Sequence, residues 1–407
     1  MSKTPTAIII GGSLGGLCAA NLLHLVGWNV KVFERSAEEL EGRGAGIVTH
    51  PSLIAILKAA GVRIDETLGI KVDERVILGR SGKREASRDF PQILTSWSRL
   101  YQLLREALPD TQYFNGWNLT HCRNVAGGVE ATFENGETVA GDLLIAADGI
   151  RSTVRQMLLP TLAPQYAGYI AWRGLVDEKV LSDAVLRDLF PYFSFGLPPR
   201  EQMIAYPVAG QGNATEAGRR RYNFVWYRPA DEASELRDML TDETGRVWED
   251  GIPPPLIRRD ILEAARKAAE ETLAPQFLEV VNKAESLFFQ PIYDLESTAL
   301  AFGRIALLGD CAFVARPHCG MGVTKAAEDA QALVSALGNA STIETALEKY
   351  EAERLLAGRQ IVAHARSLGA YMQAQLRSEQ ERKMAERYRT PESIMAETAA
   401  PISVTSG

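Results

Sequence analysis

Apolar residues recur along the chain with two different periods, and the switches between them mark its parts. Residues 7–10 form a continuous apolar run, LCAANLLHLVG (17–27) repeats at helical spacing, and NVKVFER from residue 29 returns to a strand. The opening therefore reads as a βαβ unit. A second helix starts at Pro51, whose missing amide hydrogen costs nothing in a first turn, and SRLYQLLREAL (98–108) is a third. From 112 to 147 the pattern turns to β, and Asn135-Gly136 predicts a tight two-residue hairpin with positive φ at both central residues. Four aromatic, alternating stretches between 166 and 227 (YAGYIAWRGLV, PYFSFGL, QMIAYPV, RYNFVWY) predict a second, different sheet. Residues 230–285 read as charged and helical, broken by GIPPP, and RIALLGD (304–310) is one more buried strand. Helical spacing then runs from about residue 320 to Gln373, whereas TPESIMAETAAPISVTSG offers little to pack and is expected to be disordered.

Composition narrows the setting. With 407 residues and 46% apolar content the chain can build two or three domains with large cores. A net charge of -7, with RRR at 219–221 the one basic run, argues against a nucleic-acid partner. Four scattered cysteines without a C-x-x-C pair suggest a reducing compartment, and cytoplasmic location is the expectation. Apolar runs stay below the ~18 residues of a membrane helix, so no membrane partner is expected. No His or Cys pair stands at ligand spacing, and no metal is expected.

Three segments carry candidate chemistry. In AIIIGGSLGG, Gly11 and Gly16 hold the outer positions of a G-x-G-x-x-G turn between strand and helix, with Ser13 at the middle one. A helix amino terminus carries unpaired N–H groups and partial positive charge, so such a turn holds a diphosphate when no bulky side chain intervenes. Glu34 ends the following strand, where an acid accepts from a ribose hydroxyl, and Arg35 follows it. In GDLLIAADGIRSTVR, a buried strand ends at Asp148-Gly149, ahead of Ser152 and Arg155. In RIALLGDCAFVARPHCGMGVTK, another strand ends at Gly309-Asp310 and leads through a Pro- and Gly-rich loop into a helix near Gly320.

The trio, in this order, resembles the single-component FAD-dependent aromatic hydroxylases, the p-hydroxybenzoate hydroxylase-like family, over nearly the whole chain to about residue 390. ERS…GAGIV, YAGYIAWRG, IAYPV, NFVWY and AESLF draw it toward members acting on dihydroxypyridine. The resemblance implies an α/β fold: a Rossmann-like FAD-binding domain (1–72, 96–163, 286–345) and an inserted, mostly antiparallel β-sheet substrate domain (73–95, 164–285). C-terminal helices (346–390) and a disordered tail (391–407) complete the expectation. It also implies that Gly11, Ser13, Leu14 and Gly16 hold the FAD diphosphate, Glu34 and Arg35 the adenosine end, and Val48 a backbone contact. Asp148 and Gly149 would serve FAD and the nicotinamide cofactor, Asp310 the ribityl chain, and Gly320, Met321 and Gly322 the flavin pyrimidine ring. NADH or NADPH would bind transiently, because no second G-x-G-x-x-G is present. Departures from the family pattern are Phe313 where many relatives have His, Trp97 where an Arg is common, and the apolar Val48.

Hydroxylation needs an electron-rich ring, which loss of a ring-hydroxyl proton supplies, and His has a suitable pKa to take it. His318, in the loop between Asp310 and the flavin-facing helix, is the candidate base. By the resemblance it also aligns, one loop position aside, with a histidine of the dihydroxypyridine-hydroxylating members, and a loop His bonded to backbone is the alternative. Tyr206 is the second catalytic candidate, while Tyr169, Arg173, Phe195, Phe224 and Trp226 are candidates to shape the pocket. His24 and His364 sit in helical patterns as structural residues, and His50 and His121 receive no role. The expected activity is NAD(P)H- and O2-dependent hydroxylation of a hydroxylated N-heteroaromatic or phenolic ring through a flavin C4a-hydroperoxide. The rivals are a reductase or dehydrogenase without oxygen insertion and a non-catalytic flavin-binding module. A homodimer is expected from the family likeness alone.

Overall fold

The computed structural model describes residues 4–40 and 46–402. A six-stranded sheet runs in the order Ala301–Phe302, Ile305–Leu307, Leu143–Ala146, Thr6–Ile10, Asn29–Glu34, Tyr113–Asn115. Its neighbours pair in parallel, except for the hairpin of the two outer strands at one edge. The central strands are buried nearly throughout, as expected of a parallel sheet covered on both faces. Helices Leu14–Leu25, Trp97–Ala107 and Gly322–Gly338 pack together over it. Gly15 allows the close approach, because a Cβ there would press on Leu308 and Ala326.

The predicted hairpin forms, but by another turn. Strands Gly128–Phe133 and Thr138–Gly141 are joined through Glu134, Asn135 and Gly136, with Phe133 N–H bonded to Glu137 O and Gly136 N–H to Phe133 O. Gly136 alone takes positive φ (+85°), so this is a three-residue loop with one left-handed residue.

The second sheet has nine strands, ordered Phe313–Val314, Phe288–Glu296, Gln165–Asp177, Arg221–Pro229, Gln202–Val208, Phe193–Gly196, Ile70–Leu78, Arg84–Ser96, Gly46–Thr49. All neighbours are antiparallel apart from Phe193–Gly196 with Ile70–Leu78. Gly46–Thr49, Phe288–Glu296 and Phe313–Val314 lie in stretches that the sequence partition gives to the FAD-binding part. They extend this sheet instead, because a strand is placed by its distant pairing partners and not by its own pattern.

Strand alternation splits the sheet's side chains between two cores. Trp172, Phe224, Trp226 and Met203 pack outward on the helices Arg259–Thr272 and Pro275–Lys283. Tyr169, Ala171, Phe195, Tyr206 and Tyr227 face the other way, where Ala370–Met372 and residues from 385 to 399 cover them.

That cover corrects the expected disorder of 391–407. Pro391–Glu397 is a helix with Pro in its first turn, Thr390 caps it by accepting from Ser393 N–H, and Ile394, Met395 and Ala399 are buried. The buried Arg75 guanidinium clamps the segment, donating to the carbonyls of Met395 (2.8 Å), Thr398 (2.7 Å) and Ala399 (3.1 Å) and twice to Gln92 Oε1. Residues 403–407 lie outside the described residues.

Candidate active site

The glycine turn is built as its spacing predicts. Gly11 takes φ +102°, and a Cβ on it would strike the Ala147 carbonyl; one on Gly16 would strike Gly11 O. Gly12 is needed as well, because the Tyr113 hydroxyl lies beneath it and donates to its carbonyl (3.0 Å). Ser13 stands at the N-cap of Leu14–Leu25 without a capping bond from its side chain, so the N–H groups of the first turn face the groove unpaired. Glu34 is buried and accepts from Gly12 N–H (2.9 Å) through one oxygen and from Ser36 N–H (2.9 Å) through the other. It thus braces the turn while keeping acceptor capacity for a hydroxyl.

A groove of about 260 Å³ starts here, lined by Gly11, Ser13, Glu34, Arg35, Asp148 and Gly149. Trp97, Trp117 and Asn118 line it too, and the sequence carried no signal for the last two. Arg151 borders both this groove and a second one of about 410 Å³ that contains Asp310, Pro317 and Gly322. This exposed cation, whose Nε lies 3.6 Å from Asp250, stands between the two grooves, and it too was missed by sequence reasoning.

The two acid-bearing turns are stapled together. Arg155 donates to Cys311 O (3.1 Å) and to the carbonyls of Gly149 (3.5 Å) and Ile150, while Cys311 Sγ–H donates to Ser152 Oγ (3.0 Å). Asp148 uses one oxygen to accept from Val154 N–H (3.3 Å). Its other oxygen is buried without a partner, as is the Thr324 hydroxyl in the first turn of Gly322–Gly338. Burial raises the Asp148 carboxyl above the usual range, against the pull of Ser152 and Val154. Gly320 takes φ +71°, and a Cβ on Gly322 would meet open space. A glycine cradle, an acid at the end of the second strand, an orphaned carboxylate oxygen on Asp148 and the open acid Asp310 after two further strands fit a dinucleotide with a long polyol arm.

Comparison with known proteins agrees with this geometry. A family model described as FAD binding domain-like matches residues 166–294. The 2,6-dihydroxypyridine 3-monooxygenase of Paenarthrobacter nicotinovorans is 30% identical over 374 residues, covering 92% of this chain and 93% of the relative. The chain belongs to the FAD-dependent aromatic-ring hydroxylases. A Klebsiella pneumoniae FAD-dependent urate hydroxylase is 31% identical over 388 residues, covering 88% of each chain. The solved 2,6-dihydroxypyridine-3-hydroxylase from Arthrobacter nicotinovorans superposes with a TM-score of 0.85 at 28% identity, covering 91% of this chain and 93% of that one. This hydroxylase therefore binds FAD, takes electrons from NADH or NADPH, and inserts oxygen, which removes the reductase and non-catalytic alternatives. Among the described residues no helix is long and apolar enough to cross a membrane.

The remaining candidates divide. Leu14 is buried as the first residue of its helix and Met321 is buried at the N-cap of Gly322–Gly338, so each offers backbone. Val48 points into the sheet core, but Gly46–Thr49 is an edge strand, which leaves one edge of its backbone for a ligand. Asp310 lies open to its groove.

In the substrate half, Phe195 and Tyr206 lie on the inner face, whereas Phe224 and Trp226 are corrected to the outer one. Trp226 donates to Glu201 (2.8 Å), and Phe224 packs where a Cβ on Gly174 would be. Tyr206 stacks on Phe193, and its hydroxyl donates to Gly46 O (2.9 Å), so its proton is already committed. His318 is buried, with Nε2 2.9 Å from the Tyr169 hydroxyl and Tyr227 edge-on to its ring. Burial, helped by Arg316 and His364, holds its pKa well below the ordinary histidine value. It is thus a neutral partner of a tyrosine and not a base open to a cavity.

Two residues without an assigned role gain places. His50 lies 3.1 Å from Gly320 O, beside the flavin-facing loop, and Tyr371 brings a buried hydroxyl without a partner over the inner face near Tyr169 and Tyr227.

Proposed function

We propose that this enzyme hydroxylates a small hydroxylated N-heteroaromatic or phenolic ring lying on the inner face of the nine-stranded sheet. The relatives named for dihydroxypyridine, urate and 6-hydroxynicotinate support the ring class. The observation that carries the reading is the Tyr169–His318 pair, a phenol bonded to a neutral imidazole on the sheet face that meets the Gly320 loop.

Bound FAD, once reduced by NAD(P)H, supplies the oxygen-activating chemistry. The chain's own groups supply orientation, dryness and proton handling. Unpaired N–H groups at the start of Gly322–Gly338 favour negative charge beside them. With its own proton bonded to the neutral His318 Nε2, the Tyr169 oxygen accepts a hydrogen bond from the ring hydroxyl, which draws electron density into the ring without a full proton transfer. The apolar cover from Ala370, Met372, Met395 and Ala399 keeps water from the face. A homodimer belongs to this reading through the family likeness.

The test is steady-state NADH and NADPH oxidation with and without hydroxypyridines and phenols, with labelled O2 tracked into product. Tyr169→Phe is expected to lower hydroxylation at least tenfold while flavin reduction persists. If no ring compound accelerates oxidation, the substrate reading fails.

A further inference from the structure

The inner face holds one cation whose role none of the foregoing explains. Arg173 follows Tyr169 and Ala171 by alternation along Gln165–Asp177, so its side chain shares their face. It is partly exposed, yet its Nε is buried and meets no acceptor. Among the described residues no carboxylate pairs with it. The acid on this side is engaged elsewhere: Asp294 is held by Arg316 (2.9 Å) and Arg366 (3.2 Å).

A second donor lies beside it. Val225 is directly opposite Arg173 in the ladder, and Asn223, opposite Leu175, is its diagonal neighbour on the same face, a spacing that a long side chain spans. Asn223 Oδ1 accepts from Gly46 N–H (3.3 Å), while its Nδ2 is buried without a partner. The positive charge reaches both flanking phenols, since it opposes the burial that pushes the Tyr206 and Tyr227 hydroxyls up.

Two orphaned donors, one cationic, sit on the face that receives the ring, with no acid of their own. A buried guanidinium N–H and a buried amide N–H without acceptors are costly unless a ligand completes them. We propose that Arg173 and Asn223 form an anion-recognition point, so that the ring seated here carries a carboxylate or an ionised ring oxygen. Arg173 is then a specificity-determining residue. The inference rests on the proposed ring site and narrows its occupant from hydroxylated rings in general to anionic ones.

The experiment is equilibrium binding to the FAD-loaded enzyme at one neutral pH, read by perturbation of the flavin spectrum. One arm compares 4-hydroxybenzoate with 4-hydroxybenzamide; the other compares pentafluorophenol, ionised at neutral pH, with phenol. The wild type is expected to prefer the anion at least tenfold in one arm, which also tells carboxylate from ring oxyanion. Arg173→Gln should lose at least tenfold on that anion and less than threefold on its neutral partner, and Arg173→Lys should recover part. Asn223→Asp, which supplies an internal carboxylate, should suppress the preference too, and it decides the matter if Arg173→Gln does not fold. No preference in either arm, binding of neither member included, overturns the proposal, as does a preference that survives both variants. Failure of every ring to stimulate NAD(P)H oxidation would instead count against the ring-hydroxylation reading, and the binding comparison would still stand.

Discussion

Replacing His318 by Gln tests whether the loop histidine is held neutral inside the fold. Its pKa lies well below 6.5 in the folded chain and near 6.5 once unfolded. A base whose folded pKa is depressed contributes stability that is full above the unfolded value and lost as pH falls through it, because only the unfolded chain takes up the proton. Integrating that one proton from pH 7.5 to 5.0 gives a loss of about 2 kcal/mol from His318. His50 and His364 are depressed also, chiefly by burial, but they are common to both proteins and cancel in the difference. At pH 7.5 the variant should be less stable by about 1 kcal/mol, the worth of the bond to Tyr169. By pH 5.0 the gap should have closed or inverted. Urea unfolding followed by circular dichroism, with FAD saturating and the pH stepped, measures it. A gap constant to within ~0.5 kcal/mol across that range would mean the imidazole is not kept neutral, and the argument from burial would be wrong.

Three other outcomes follow from the geometry. Gly16→Ala drives a methyl into Gly11 O and should weaken FAD retention at least a hundredfold, measured by flavin release on dilution. Arg155→Met cuts the tie between the Asp148 and Asp310 turns and should weaken FAD by about tenfold with little change in secondary structure, read by fluorescence titration and circular dichroism. Trp226→Phe loses its bond to Glu201, for about 1 kcal/mol of stability, yet should leave KM for the ring substrate unchanged; a raised KM would put the indole on the inner face after all.

What the sequence displays is what local periodicity and backbone chemistry encode. The βαβ opening, the glycine turn and the two strand-ending acids are all local, and the structure reproduces each. Pairing is not local. Alternation separates Tyr206 from its neighbours' faces but does not say which face of the next strand matches it. Once Tyr206 is known to stand opposite Asn223, Phe224 must point the other way. The aromatic character of Phe224 and Trp226 drew them into the pocket, while Asn223, a less conspicuous residue one position earlier, was overlooked. His50 and Tyr371 were illegible for the same reason, since each reaches the site from an element far away in sequence. The tail was misjudged because its partner, Arg75, is 320 residues from Met395 and no window of composition contains both.

That clamp has a kinetic corollary. Until residues 395–399 dock, the Arg75 guanidinium has Gln92 and the rings of Phe90 and Phe193 but no carbonyl to hold it, and the tyrosine-bearing face of the sheet lacks part of its cover. A contact spanning most of the chain is slow to form, since the intervening segments must be in place before it is rewarded. The ring chamber should accordingly be the last region to mature during refolding, with cofactor capture preceding competence for catalysis.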